Sequence, residues 1–174
     1  LTRRAGALEE AGAGAGLAGG RGAGAFKLWL AWKAKGDAGW AREAEAADEA
    51  AGELERQVQA REGRFLLATW RQGPGVGFWY VPPSLRERLR LHVMEPADGP
   101  ADITGVPEAL REELGTVAPA LAGRMRGAGD AVVGVHRSKG LPNFFKCAFA
   151  GGKGLSAGDV EALLDRMDAL GQDL

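Results

Sequence analysis

The sequence predicts an α+β fold, an antiparallel sheet of about four strands covered by helices. Three observations carry that expectation. Residues 65–70 and 76–81 read as a β-hairpin around Gln72-Gly73-Pro74-Gly75, and residues 131–136 and 143–150 as a second around Ser138-Lys139-Gly140. Before, between and after the hairpins, apolar residues recur at helical spacing. The 174 residues are enough for one modest domain, which buries about two-thirds of the surface of its unfolded chain.

Residues 1–24 come first and hold few large apolar groups. Their many glycines are costly to order, so a low-complexity, disordered stretch is expected. Glu9 and Glu10 interrupt any signal or transit peptide there, and the start at Leu1 is read as a truncated N-terminus. Phe26, Leu28, Trp29, Leu30 and Trp32 then form a short helix, with Phe26, Trp29 and Trp32 on one face. Gly36, Asp37 and Gly39 are expected to break it before an alanine- and glutamate-rich helix over 40–61, in which Leu54 and Val58 stand four apart.

Pro82 and Pro83 stop the second strand of the first hairpin, since neither can donate to a ladder. Residues 86–106, with Pro96, Gly99, Pro100 and Gly105, are expected to form a long exposed loop, whose stretch at about 88–106 is an insertion by the family resemblance given below. Leu110, Leu114, Val117, Leu121 and Met125 return to helical spacing, and Pro119 is expected to divide that helix in two. The last helix opens at Ser156 with Asp159 three residues on, a capping-box pattern. Val160, Leu163, Leu164, Met167 and Leu170 line one face of it before Gly171.

Composition removes several function classes. Lys and Arg total 22 against 23 Asp and Glu, which leaves no electrostatic footprint for nucleic acid or an anionic membrane, and no apolar run reaches membrane-spanning length. Cys147 is the single cysteine, so no internal disulfide or CxxC site exists, and a reducing, cytoplasmic setting fits.

The small motifs also have plain readings. Gly151-Gly152-Lys153-Gly154 lacks a phosphate loop's spacing and its Ser or Thr after the lysine, and reads as a turn before the last helix. The glycine repeats from Gly12 to Gly24 follow no strand. His92 and His136 have no partner at metal-ligand spacing, and Ser84 and Ser156 lack a nucleophile elbow. Cys147 within a strand reads as a packed thiol, and the tryptophans as core and interface anchors. Nothing assembles a self-contained catalytic site.

Four segments together carry a resemblance. They are Phe26-Lys27-Leu28-Trp29-Leu30-Ala31-Trp32-Lys33-Ala34-Lys35-Gly36, Phe78-Trp79-Tyr80-Val81-Pro82-Pro83-Ser84-Leu85-Arg86, Pro142-Asn143-Phe144-Phe145-Lys146 and Leu170-Gly171-Gln172-Asp173-Leu174, with Val117-Ala118-Pro119 a weaker fifth. In order and spacing the chain resembles group II pyridoxal-phosphate decarboxylases of the glutamate and cysteine-sulfinate kind over residues 21–174.

The resemblance implies that residues 25–174 are the C-terminal region and small domain of a fold-type-I enzyme. Such an enzyme uses pyridoxal 5'-phosphate, acts on a small acidic amino acid and works as a homodimer. It also implies that the cofactor lysine, in an Asn-Pro-His-Lys motif, and a tyrosine-bearing mobile loop belong before Phe26. No His-Lys pair occurs in this chain, and Tyr80 lies in a strand segment. In the family an arginine follows Asn-Phe-Phe and holds the substrate's carboxylate, where this chain has Lys146. A lysine offers a point charge instead of a bidentate fork. Lys146 is therefore either the substrate-binding residue or an exposed surface residue. Likewise the chain is either the C-terminal portion of an acidic amino-acid decarboxylase, with a lean to cysteine sulfinate, or an inactive module that pairs with a full-length decarboxylase through Trp29 and Trp32.

Overall fold

The structure, a computed structural model, describes residues 24–96, 99–130, 133–149 and 156–174. In chain order its elements are α1 (Gly24–Gln59), β1 (Phe65–Leu67), β2 (Gly75–Tyr80), α2 (Pro83–Arg90), α3 (Glu108–Gly127), β3 (Gly134–Ser138), β4 (Leu141–Ala148) and α4 (Ala157–Gly171). The α+β expectation holds, with four strands in one antiparallel sheet of order β1-β2-β4-β3. Both expected hairpins form, their strands shifted by a few residues at the ends. Ala131 and Ala150, the expected outer limits of the second hairpin, lie outside the described residues, as do the glycine-rich loop 151–154 and residues 1–23.

The chain divides into two compact units, Leu1–Arg42 and Glu43–Leu174. In the described part of the first, Gly36 is non-helical at φ 65°, ψ 176°, and it alone makes the expected break. Trp29 stacks on Phe26 at 6.0 Å, and the Trp32 indole N–H donates to Asp37 at 2.6 Å. Of the core and interface roles expected for the aromatic residues, the described residues supply no core here: Phe26, Leu28, Trp29, Leu30 and Trp32 each show roughly half their surface.

In the second unit Leu54 and Val58 of α1 are buried, as their spacing requires, and the helix ends at Gln59, two residues before the expected limit. They join one core with Phe65, Phe78, Tyr80, Phe145, Leu114, Leu121, Val160 and Met167. Trp79 is buried in it, whereas Trp70 is largely exposed.

Two expectations fail for physical reasons. Residues 86–106 are not one exposed loop. The second of the paired prolines sits at the start of α2, where a missing N–H costs nothing, and Leu85 and Leu89 four residues apart bury its inner face. Beyond it the chain folds back through a bridge between Met94 and Asp102. The Ala101 N–H donates to the Leu67 carbonyl at 2.8 Å, and Ile103 and Val106 are buried. Nor does Pro119 divide α3, which runs unbroken from Glu108 to Gly127. Proline at 119 removes the donor that would reach the Gly115 carbonyl four residues back. The Asn143 side-chain amide of β4 replaces it, donating to that carbonyl at 2.9 Å.

The capping box at α4 is complete: Ser156 accepts from the Asp159 N–H, and the Asp159 carboxylate accepts from the Ser156 N–H. The far end of this helix is clamped by side chains from three other elements. Tyr80 Oη donates to Asp168 Oδ1 at 3.0 Å, Arg86 and Arg64 reach the same carboxylate at 3.0 and 3.4 Å, and Ser84 Oγ donates to the Leu174 carbonyl at 2.7 Å. Arg124 donates to the Leu170 carbonyl at 2.8 Å and also pairs with Asp173. The terminal Leu-Gly-Gln-Asp-Leu is thus a docking sequence for the C-terminal helix.

Tyr80 makes this clamp pH-sensitive. Burial first, and the Asp168 carboxylate second, push its phenol up to about 12, against the opposing pull of Arg86. The unfolded phenol ionises near 10. The raised folded value favours the neutral form in the fold, so its stabilisation is complete below about pH 10 and disappears as pH rises toward 12. Urea midpoints are expected to fall across that window and to fall less in Tyr80→Phe. Since Tyr80 is the chain's 1 tyrosine, its ultraviolet ionisation change reports this group alone.

Candidate functional site

Alternation along β4 sends successive side chains to opposite faces of the sheet. Phe145 and Cys147 share one face, and Phe145 stacks on Phe78 of β2 at 5.7 Å. Phe144 and Lys146 share the other, where Phe144 packs edge-on against Trp79 at 6.2 Å and His136 of β3 at 5.3 Å. The two phenylalanines therefore fix the strand from both sides, and the next residue, Lys146, has its position set by them.

Lys146 pairs in register with Gly77 on β2 and Gly134 on β3. Neither neighbour has a side chain, so the lysine stands in a trough with no cross-strand neighbour walling it in. At Gly77 there is no room for a side chain, since a Cβ would lie 2.8 Å from Thr69 Oγ1 and 2.9 Å from the Phe144 ring; one at Gly134 would make a tight contact, 3.2 Å from the Lys146 carbonyl. Burial decreases along this face, from Trp79, Gly77 and Phe144, which are buried, to Lys146, Gly134 and His136, which are exposed. Within the described residues Lys146 has no hydrogen bond or ion pair. Its ammonium, three donors on a flexible stem, is open to an anion.

His136 carried no functional signal in the sequence, yet the sheet register sets it opposite Phe144, on the face that bears Lys146. A register shift between His136 and Ser138 puts it there; counting alternate residues back from the turn would have set it opposite Asn143, on the other face. Asn143 was also missed, because its partner is a carbonyl freed by a proline 24 residues earlier. Cys147 sits as a half-buried thiol in β4, its ionisation pushed up to about 11 by burial, which suits a packing role. His92 is exposed after α2. No three or more His, Cys, Asp or Glu side chains cluster to hold a metal among the described residues, and no helix there is long and apolar enough to cross a membrane.

No family profile matches the chain. It is 36% identical to human cysteine sulfinic acid decarboxylase over 149 residues, and 31% identical to Drosophila melanogaster glutamate decarboxylase over 151. Each match covers 86% of this chain, and the chain spans about a quarter of the length of these relatives, 27% and 26% respectively. In three dimensions it superposes on the crystal structure of mouse CSAD with a TM-score of 0.67 at 32% identity, over 85% of this chain and 27% of that one. The chain belongs to the group II pyridoxal-phosphate decarboxylase family.

Within this decarboxylase family the described fold is the α+β C-terminal domain. The rice TDC structure with PLP and tryptamine, at a TM-score of 0.56 and 17% identity, shares that fold. The cofactor is another matter. Lys27, Lys33, Lys35, Lys139 and Lys146, the described lysines, are all exposed, and none is enclosed as a cofactor lysine would be.

Proposed function

We propose that this chain is the C-terminal portion of a decarboxylase that uses pyridoxal phosphate to convert an acidic amino acid, cysteine sulfinate or a relative of it, to the amine and carbon dioxide. Lys146 is its contact to the substrate's side-group acid. The unpaired ammonium in the glycine-walled trough is the observation that carries this reading. A side-group acid gripped at that point leaves the α-carboxylate as the group to be lost. When bound in the whole enzyme the cofactor would supply the electron sink, and this chain's own part would be to orient the substrate. A cytoplasmic homodimer is part of the same proposal.

A chimera tests it: human cysteine sulfinic acid decarboxylase with its matching C-terminal segment replaced by residues 25–174. Lys146→Met is expected to raise KM for cysteine sulfinate by about tenfold or more while kcat stays within about threefold, the signature of lost uniform binding. Lys146→Arg is expected to lower KM, since a guanidinium grips an acid with two parallel bonds. An unchanged KM in Lys146→Met returns the residue to the exposed surface. The 174-residue chain incubated alone with pyridoxal phosphate is expected to release no carbon dioxide.

The exposed face of α1 around Phe26, Trp29 and Trp32 favours a second reading, an inactive module that pairs with a full-length decarboxylase. Co-elution with such an enzyme, abolished by Trp29→Ser with Trp32→Ser, would favour it.

A further inference from the structure

We propose that the cleft between the β3–β4 turn and the first half of α3 binds a small zwitterion of the acidic amino-acid class, with two acidic groups and one ammonium. The cleft encloses about 610 Å³, within the size of small-ligand pockets. One wall is helical, because Glu108, Arg111 or Glu112, and Gly115 recur three or four residues apart and share a face of α3. The other wall is the end of β3 and its turn, carrying Arg137, Ser138 and Lys139.

The charges sort into used and unused. Arg111 is occupied: Glu108 lies 3.5 Å away, and its guanidinium donates to the Ile103 and Thr104 carbonyls at 3.3 and 3.5 Å. The Thr116 hydroxyl donates its proton to the Glu113 carbonyl and the Asn143 amide donates to Gly115, so the hydroxyl's donor is already used. Glu112, Arg137 and Lys139 make no hydrogen bond or ion pair within the described residues. Two cations and one carboxylate remain, the charge complement of a dicarboxylic or carboxylate-sulfinate amino acid. A plain dianion would meet the same two cations with Glu112 unanswered and opposed to it. Glycine at 115 leaves the floor open, since a Cβ there would stand 3.6 Å from Pro142 and the Asn143 N–H. Lys146 does not line the cleft, so this site is independent of the proposed substrate contact.

Calorimetric titration of the full chain tests the assignment. L-Glutamate and L-cysteine sulfinate are expected to bind saturably, with glutarate, which lacks the ammonium, about tenfold weaker. Arg137→Gln with Lys139→Gln is expected to cost about tenfold or more for the amino acids. Glu112→Gln is expected to erase the preference for glutamate over glutarate. Arg126→Gln, an exposed cation away from the cleft, is the control that keeps wild-type binding. All these side chains are exposed, and thermal melts confirm that each variant folds. Three results overturn the proposal: no saturable heat, equal binding of glutamate, glutarate and sulfate (an adventitious ion only), or binding lost in Lys146→Met but kept in the Arg137/Lys139 variant. The last would place the ligand on the sheet face, and because the KM test of Lys146 is made in the chimera, the two readings fail separately.

Discussion

Gly171→Ala is expected to destabilise the protein by about 3 kcal/mol or more, a larger penalty than adding one methyl group usually carries. The new Cβ would lie 2.1 Å from Tyr80 Cε1, 2.6 Å from Cζ and 2.8 Å from Oη. Tyr80 cannot step aside cheaply. Its ring packs on Phe65 at 5.3 Å, it is only 1% exposed, and its hydroxyl is bound to Asp168. Moving it breaks a hydrogen bond to a carboxylate that Arg64 and Arg86 share, worth about 1.5–3 kcal/mol by itself. Displacing the helix end instead disturbs the Ser84 and Arg124 contacts to the last residues. In a chain of this size the thermal midpoint should drop by roughly 6–12 °C. Gly158→Ala, in the same helix, is the internal comparison. A Cβ there meets only Ser156 Oγ at 3.7 Å, so the helix-propensity gain of up to about 1 kcal/mol should appear unopposed. Equal melting of the two variants would show that the Tyr80 contact is not tight.

The order of elements was legible because hydrophobic period and turn chemistry are local signals. Leu110, Leu114, Val117, Leu121 and Met125 are all buried, and so are Val160, Leu164 and Met167. The signal for α2 was present as well, a proline followed by Leu85 and Leu89 four apart, but the Pro- and Gly-rich stretch behind it outweighed an eight-residue helix. What sequence could not show was long-range. The fold-back of 91–106 is held in part by main-chain bonds, Ala101 to Leu67 and the pair between Met94 and Asp102, and such bonds leave no trace in residue types.

The candidate site was legible in part, and through a motif more than through physics. Lys146 was found because it follows Asn-Phe-Phe. The trough around it depends on Gly77 and Gly134, 69 and 12 residues away, becoming its neighbours, which only the strand order β2-β4-β3 brings about. For the apolar face of α1 the aromatic spacing showed that Phe26, Trp29 and Trp32 share a face but left core and interface roles open, since spacing carries no information on whether a partner surface is at hand.

Asn143→Ala is expected to cost about 1–3 kcal/mol, and most of that loss is expected to disappear when Pro119→Ala is added. Asn143 belongs to the segment that positions Lys146, but its own task is to answer a carbonyl in α3. Proline at 119 has no N–H to offer Gly115, whose backbone is buried, and the Asn143 amide at 2.9 Å fills the gap. Removing the amide leaves a buried acceptor unpaired, at its full desolvation cost. Pro119 itself is exposed, so alanine there loses little packing while restoring the helical donor. Once the donor is restored, the asparagine becomes largely dispensable. Urea unfolding of the four proteins in the cycle should give a coupling of about 1–2 kcal/mol with unchanged m-values. Additive losses would mean that Asn143 acts through its packing between Gly115 and β4. A coupling of the expected sign would mean that the proline in α3 and the asparagine in β4 form one hydrogen-bonding unit, which holds the helix against the strand carrying Lys146.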